Sequence, residues 1–526
     1  MTKQILSGLE ARQKLKTGIE KVANAVKITL GPKGKNVVLD RKYATPLVTN
    51  DGVSIAREIE LENPFENMGA NLIKEVSIKT NDSAGDGTTT ACVLAEALVC
   101  EGLKNIASGA NPILIRNGID KAVKVATKKL KEISKPVSSD TEIMQVASIS
   151  AGSEEIGALI CSAFKQVGKD GVITIEESKT AQTNLKVAQG LEIDKGFISP
   201  YMIPQNSDHA ELDNALILIT DRKITNINDI LPIIETVMQT SRPLLIIAED
   251  VDGDALSMLT LNSIRGSFNS VSIKAPSYGE KQKEFLEDIA LLTGGTYLSK
   301  ELFSDIKQTT LDQLGTAAKI KIFKDKTIII GGNSDTNKIV EKQEMLRSID
   351  LSQTDEYEKV KIEDRLARLS DGVAVIEVGA PSEIEMREKK LRIEDALSAT
   401  KSASKEGIVV GGGCALLCCL PELEALTNTL FGDERTGAVI VKSAIEAPLR
   451  QIAKNSGADD GVILNEVKKN INQNIGYNAL TGEFVNLFDA GIIDPTKVTR
   501  CALEYAGSVA STILTTDVII ADTTTA

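Results

Sequence analysis

Several short glycine-containing loops carry the residue types that handle phosphate. Gly85-Asp86-Gly87-Thr88-Thr89-Thr90 opens an apolar helix that continues through Ala91, Val93, Leu94, Ala97 and Leu98. Glycines let the backbone approach a ligand, and the threonines offer hydroxyls and free N–H groups at the positive end of a helix dipole, where a phosphate fits. Asp86 adds a hard oxygen suited to Mg2+. An ordinary N-capping turn uses the same Asp and Thr. Thr29-Leu30-Gly31-Pro32-Lys33-Gly34 ends the first amphipathic helix, and its Gly/Pro punctuation by itself reads as a C-cap and turn. Asn50-Asp51-Gly52 is a turn with an exposed carboxylate, uninformative alone. Gly411-Gly412-Gly413 leads into Cys414-Ala-Leu-Leu. None of these has a Walker Gly-Lys-Ser/Thr ending or a Gly-x-Gly-x-x-Gly pattern, so nucleotide binding here would use no common fingerprint.

Other chemistries are excluded by what is scarce. His209 is the one histidine, which rules out a multi-His zinc site and leaves a Ser-His-Asp triad a single candidate base. The seven cysteines are odd in number and sit among apolar neighbours, unlike a secreted disulfide framework. Cys414, Cys418 and Cys419 lack another metal ligand beside them and read as packed thiols. The net charge of −13, with ten Phe, seven Tyr and no Trp, is a poor fit to a nucleic-acid groove. The N-terminus lacks a signal peptide's apolar core, and no apolar run reaches membrane-spanning length. A soluble, cytoplasmic chain is the expectation.

The elements that must position these loops are legible in the apolar spacing. Leu15, Ile19, Val22, Ala23, Val26 and Leu30 lie on one helical face; further helices start near Phe65, at Thr88 and after Pro112. Asn36–Asp40 and Leu47–Asn50 are strand-like. From about 172 to 330, β-rich runs (Val172–Ile175, Ala215–Thr220, Leu244–Ala248, Val271–Lys274) alternate with helical stretches, which predicts an α/β layer with a largely parallel sheet. Glu341–Leu369 and Glu383–Lys405 are dense in both charge signs, as solvated helices are. From Gly407 the helical, small-residue style of the first segment returns. The middle therefore reads as an insertion, and at roughly 100–200 residues per domain the 526 residues suggest about three domains.

Taken in order, Leu30-Gly-Pro-Lys-Gly34, Asp51-Gly-Val53, Phe65-Glu-Asn-Met-Gly69, Asn81-Asp82, Gly85–Thr90, Glu394-Asp-Ala-Leu397, Gly411–Gly413, Glu446-Ala-Pro-Leu-Arg450 and Asp494-Pro-Thr-Lys-Val498 span almost the whole chain. The ordered set resembles the group I chaperonins, the family of GroEL and the sixty-kilodalton heat-shock proteins. The resemblance implies a multidomain α+β and α/β fold. Its mostly helical equatorial domain would be 1–132 plus 406–526, the small intermediate domain 133–188 plus 373–405, and the α/β apical domain 189–372. Hinges would fall at Pro136, Gly190, Gly372 and Gly407.

The resemblance also implies an ATPase. Thr29, Leu30, Gly31 and Pro32 would lie near base and phosphate. Asn50, Asp51, Gly52, Asp86, Gly87, Thr88, Thr89 and Thr90 would surround the phosphates and metal. Ile149, Ser150, Gly411, Gly412, Asn478, Ala479, Ile492 and Asp494 would close around adenosine. Asp86 and Asp395 would ligate Mg2+, Thr29 and Thr89 would sit near K+, and Asp395 with Asp51 would position the attacking water, which needs no histidine. Unfolded clients would meet an apical apolar surface of Phe197, Tyr201, Met202, Leu231, Ile234, Leu256, Thr260 and Leu261.

Implied partners are a homo-oligomer of two stacked seven-membered rings, a GroES-like co-chaperonin lid and non-native proteins, with neither nucleic acid nor membrane. Val518–Ala521 would pair with a neighbouring subunit's Asn36–Asp40 and Leu47–Asn50, and Lys195–Glu383 across subunits and Arg450–Asp459 between rings would be switchable ion pairs. Five departures stand out: Asn50 replaces a lysine, Thr260 an aliphatic residue, Asp371 a glycine and Ser277-Tyr278 a Gly-Phe pair, and the chain stops at Thr523–Ala526 without a Gly-Gly-Met tail. Thr260, Asp371 and the absent tail leave open a divergent paralogue acting mainly as a scaffold with weak folding activity.

Overall fold

Helix formation follows the apolar stripes closely. A computed structural model describes residues 3–40, 46–168, 171–178, 180–204, 207–301, 306–347, 365–366, 369, 372–470 and 473–522. Asp371, most of the charged run beyond Arg347 and Thr523–Ala526 lie outside the described residues. After strand β1 (Lys3–Ser7) come α1 (Gly8–Val26), the hairpin β2 (Val37–Leu39) and β3 (Leu47–Thr49), α2 (Gly52–Glu58), α3 (Pro64–Ala84), α4 (Thr88–Ala107), α5 (Pro112–Ile133), α6 (Asp140–Ala151) and α7 (Glu154–Val167). Proline occupies the first turn of α3 and α5, and Asn63 and Asn111 cap them by accepting backbone N–H bonds. Proline at that position loses no helical hydrogen bond, so both starts are sharply set.

The inserted region contributes β4 (Val172–Glu177), β5 (Asn184–Ile193), β6 (Ala210–Ile219), β7 (Lys223–Ile224), α8 (Leu231–Thr240), β8 (Leu244–Ala248), β9 (Asp250–Val251), α9 (Gly253–Arg265), β10 (Ser270–Lys274), α10 (Glu280–Thr293), β11 (Gly315–Ile322), β12 (Thr327–Gly332), α11 (Thr336–Arg347) and β13 (Gly372–Val378). The chain then returns through α12 (Glu383–Glu406), β14 (Ile408–Val410), α13 (Cys414–Leu417), α14 (Leu420–Thr429), α15 (Gly432–Ala444), α16 (Ala447–Ser456), α17 (Asp460–Asn470), β15 (Ile475–Asn478), β16 (Glu483–Asn486), β17 (Ile493–Pro495), α18 (Thr496–Thr515) and β18 (Val518–Asp522).

These elements form two compact units. Unit one comprises residues 1–162, 177–184 and 378–526; unit two comprises 163–176 and 185–377. Unit one is thus built from both ends of the chain, and it contains the expected equatorial ranges with most of the intermediate ones. Its core gathers α4, α5, α15 and α18 around side chains such as Leu94, Leu98, Ile115, Ile119 and Leu503, all fully buried. Truncating any of these leucines to alanine would cost about 2–5 kcal/mol. β18 pairs antiparallel with β1 of the same chain, Ile5 opposite Ile520. Within the chain, β2 and β3 pair with each other. The N-terminal partner strand was not anticipated, because Lys3–Ser7 is too short and mixed to show a period.

Unit two is built on an eight-stranded sheet in the order β10-β8-β6-β11-β12-β5-β13-β4. The expectation of a largely parallel sheet is corrected here. β10, β8 and β6 are parallel, but β11 is antiparallel to β6, β12 to β11 and β5 to β12. The short connection from Ile322 to Thr327 cannot carry a crossover and forces a hairpin. The fully apolar runs of β6 and β8 are buried on both faces, as parallel strands under helices are.

Candidate functional site

The first glycine loop sits at a chain reversal that only glycine tolerates. Gly85 ends α3 and Gly87 begins α4, with φ of 71° and 80°, the left-handed region that penalises other residues. Between them Asp86 is held from two sides: its Oδ1 accepts from the Gly87 N–H and its Oδ2 from the Ser150 hydroxyl at 2.7 Å. Ser398 of α12 packs on Gly85, and the Ser402 hydroxyl donates to the Ala84 carbonyl at 2.9 Å, which fixes α12 against this loop.

Asp51 caps α2, its carboxylate accepting the Val53 and Ser54 N–H groups at 3.1 and 3.0 Å. The next residue, Gly52, lies against the start of α4: a Cβ there would collide with the Thr88 and Thr89 hydroxyls and the Thr89 nitrogen. The capped turn and the helix N-terminus are therefore in direct contact. Thr29 approaches from the other side, its Oγ1 3.4 Å from that of Thr89 while it donates to the Val26 carbonyl at 2.9 Å.

The carboxylates feel one another. Burial raises the Asp86 carboxyl above its usual range, opposed by the Ser150 and Gly87 hydrogen bonds and reinforced by the Asp51 charge. Burial raises Asp395 well above that range, with the charges of Asp51, Asp86 and Glu394 adding. Asp494 is pushed up to about 7 by burial and by Asp86. Among the described residues no donor hydrogen-bonds the Asp395 or Asp494 carboxylate, and no lysine or arginine offsets this acid group. Such a site asks for a cation. No three acidic, thiol or imidazole side chains among the described residues can hold a metal unaided. That fits Mg2+, which takes one or two carboxylates and completes its shell with phosphate oxygens and water.

The remaining expected nucleotide positions divide. Gly411 follows β14, donates its N–H to the Ile492 carbonyl at 2.9 Å and lies beside Asp494, since β14 pairs with β17. Asn478 accepts from the Leu480 and Thr481 N–H groups, which turns the chain after β15, and Ala479 is buried. Ile149 is exposed, as are Gly31, Pro32 and Asn50. Ser150, expected beside adenosine, donates its hydroxyl to Asp86. Two contributors were missed. Asn455 of α16 donates to the Lys27 and Leu30 carbonyls at 2.9 and 2.8 Å, holding the turn at Thr29–Gly31 from more than 400 residues away. Thr49 accepts the Asp51 N–H at 3.1 Å, a local threonine turn that could have been read.

In unit two the expected client residues separate. Tyr201 (69% exposed), Leu231 and Leu261 are exposed; Phe197, Leu256 and Thr260 are half-buried. Met202 and Ile234 instead point into the core, at 2% and 4% exposure, because their neighbours on the same short turn and helix take the outward positions. Met258 and Ile264 join Leu261 on the outer face of α9, at an i, i+3, i+6 spacing that sequence reading passed over. The Arg450 guanidinium pairs within the chain with Asp460 at 2.9 Å and Glu446 at 3.1 Å, while Asp459 caps α17 by accepting the Gly461 and Val462 N–H groups.

Comparison with known proteins places the site in context. The model of the TCP-1/cpn60 chaperonin family matches residues 22–524. Among solved structures, the fold is similar to that of the chaperonin gp146 from bacteriophage EL 2 (Pseudomonas aeruginosa), crystallised in the presence of ATP-BeFx. The TM-score is 0.70 at 21% identity, over 99% of each chain. No described helix is long and apolar enough to cross a membrane.

Proposed function

The chain belongs to the TCP-1/cpn60 chaperonin family, and on that premise we propose that it is an ATP-driven protein-folding chaperonin. Non-native proteins would be captured on the apolar face around α9 and Tyr201, and ATP turnover in unit one would drive their release into a ring chamber. The observation that carries this reading is the mutual charge effect of Asp51, Asp86 and Asp395 beside the start of α4, which no lysine or arginine among the described residues offsets.

The α4 N-terminus and the Thr88, Thr89 and Thr90 hydroxyls would bind the phosphates. Mg2+ held through Asp86 and Asp395 would supply neutralisation of phosphate charge, and K+ would be held near Thr29 and Thr89. Asp395 would accept a hydrogen bond from the attacking water, oriented with help from Asp51, whose carboxylate is fixed by its capping bonds. The Ser150–Asp86 bond ties α6 to the phosphate loop, so movement of α6 with α12 would be sensed there. Assembly as two stacked seven-membered rings, a GroES-like lid and a bacterial cytoplasmic setting complete the proposal.

Asp395→Asn tests it. Nucleotide binding should persist while turnover falls by about 100-fold or more; turnover within twofold of the parent would overturn the assignment. The alternative, a divergent scaffold paralogue, draws on the Thr260 hydroxyl, which lies buried in α9 without a hydrogen-bond partner where an aliphatic residue would pack better. Refolding of an aggregation-prone protein, with ATP and with or without a lid protein, separates the two: a scaffold would not raise the yield.

A further inference from the structure

One helix of unit one touches three of the segments expected to border the nucleoside. α16 (Ala447–Ser456) is amphipathic, with Leu449, Ile452 and Ala453 buried. Its first turn presses on the third glycine of Gly411–Gly413: a Cβ on Gly413 would stand 2.8 Å from the Leu449 nitrogen. In its middle turn the Ile452 side chain lies against Gly31, where a Cβ would come within 3.2 Å of it. In its last turn Ser456 Oγ lies 3.4 Å from the hydroxyl of Tyr477, the residue before Asn478.

The strongest tie is Asn455. Its Nδ2 donates to the Lys27 carbonyl at 2.9 Å and to the Leu30 carbonyl at 2.8 Å, and its Oδ1 accepts from Gln451 Nε2 at 2.8 Å. Both amide protons and the amide oxygen are therefore in use, which leaves one orientation. A flipped amide would set its oxygen against two carbonyl oxygens. The two carbonyls bracket Ile28 and Thr29, so the amide holds the turn on both sides of the threonine whose Oγ1 lies 3.4 Å from that of Thr89. α16 is itself anchored. Arg450 pairs with Glu446 and Asp460, and Lys468 of α17 pairs with the same Glu446. A fixed helix carrying a fully bonded amide sets where the turn stands.

We propose that α16 is the strut that sets the nucleoside side of the site, with Asn455 a positioning residue that governs nucleotide affinity rather than turnover. The inference rests on the ATP reading above and deepens it. The separation of affinity from turnover follows from how the carboxylates are held. Asp51 is fixed by its capping bonds to α2, and Asp86 by Ser150 and the Gly87 N–H, none of which involves α16. Displacing the turn would misplace the nucleoside and leave those carboxylates where they are. The nucleoside takes no part in phosphoryl transfer, so its contacts are lost equally from ground state and transition state, which raises KM and spares kcat.

The test uses the full-length protein, steady-state ATP turnover, and Mg-tripolyphosphate as a competitor that carries the phosphates without the nucleoside. Asn455→Asp keeps the shape of the side chain and turns two donated hydrogen bonds into two repulsions. KM for ATP should rise by about tenfold or more while kcat stays within about threefold of the parent. The Ki of tripolyphosphate should not move. Gln451→Met frees only the amide oxygen and should raise KM by about two- to threefold; it is the deciding variant where Asn455→Asp does not fold. An unchanged KM in the deciding variant overturns the inference. A fall in kcat that matches the rise in KM, or a Ki that rises in step with KM, overturns it too, since either means a general loosening of the site. A parent that turns over no ATP sinks the ATP reading and this inference with it. A parent with ATP turnover and an indifferent Asn455 leaves the ATP reading standing and removes the strut alone.

Discussion

The carboxylate site of unit one and the α9 face of unit two would solve recognition in opposite ways. In unit one three of the expected ligand positions are held in place: Asp51 as a helix cap, Asp86 between the Ser150 hydroxyl and the Gly87 N–H, and Gly52 pressed against Thr88 and Thr89. A site so fixed suits one ligand of defined charge and shape. On α9 the proposed recognition groups are Met258, Leu261 and Ile264, all exposed, while Ala255 and Leu259 on the opposite stripe anchor the helix in the core. Flexible apolar side chains on a rigid helix can accommodate many partners, as an unspecific client surface requires. The difference predicts that small steric changes are ruinous in the first region, whereas the second responds only to loss of apolar area.

The sharpest way to break this contrast is Gly52→Val. The added side chain must displace the Thr88 and Thr89 hydroxyls from the start of α4, so nucleotide affinity should fall by about 100-fold or more, read by equilibrium binding. Near-normal affinity would show the phosphate site to be elsewhere. The complementary change, Leu261→Ser with Ile264→Ser, removes two exposed apolar side chains without touching the core. Capture of an unfolded protein should weaken by about tenfold, with ATP turnover in the absence of client and melting temperature nearly unchanged. A matching loss of basal turnover would mean that α9 is not merely a contact surface.

The two regions also differ in how far they could be read from sequence. The helix starts at Pro64, Thr88 and Pro112 were visible because capping chemistry and apolar spacing are local. The turn into α4 was visible because glycines flanking an aspartate before a threonine run mark a tight reversal into a helix start. What was not visible depends on long-range packing. Asn455 supports the Thr29 turn across the fold, and no pattern near Asn455 announces it. Inside α9 and its neighbours, which apolar residue faces outward is decided by how the helix is rotated on the sheet. Hence Met202 and Ile234 were placed on the surface and Met258 and Ile264 were overlooked. The antiparallel half of the sheet was hidden for a related reason: buried strands read alike whichever way they run.

The acid cluster offers a smaller effect that only the first region should show. An aspartate in an unfolded chain titrates in the ordinary carboxylate range, whereas Asp494 in the folded chain titrates at about 7 because burial and Asp86 disfavour its charge. Between those values the folded state holds a proton that the unfolded state has released. Its contribution to stability is therefore full at the acid end and is lost as pH rises through 7. Asp86 and Asp395 shift in the same direction. The nucleotide-free protein should accordingly gain about 1 kcal/mol in unit one between pH 8 and pH 6. Asp494→Asn should flatten part of that slope and stabilise the protein at pH 8, read as melting temperature against pH. An unchanged slope would show that Asp494 is already ionised.

The smallest expected effect tests whether the second region is as undemanding as the contrast implies. Thr260 sits half-buried in α9 with its hydroxyl oxygen out of reach of solvent and of any hydrogen-bond partner. A buried hydroxyl without a partner costs free energy that a methyl group of the same shape does not. Thr260→Val keeps the branched shape and removes that cost, so the protein should gain about 1 kcal/mol of stability, read as a shift of the unit-two transition. If the outer face of α9 recognises clients by apolar area alone, client affinity should hold or rise slightly with the same substitution. A drop in client affinity would mean that the Thr260 hydroxyl turns outward to meet a polar group of the bound chain. The α9 face would then share with the unit-one pocket a dependence on placed polar atoms, and the contrast between the two regions would fail at that residue.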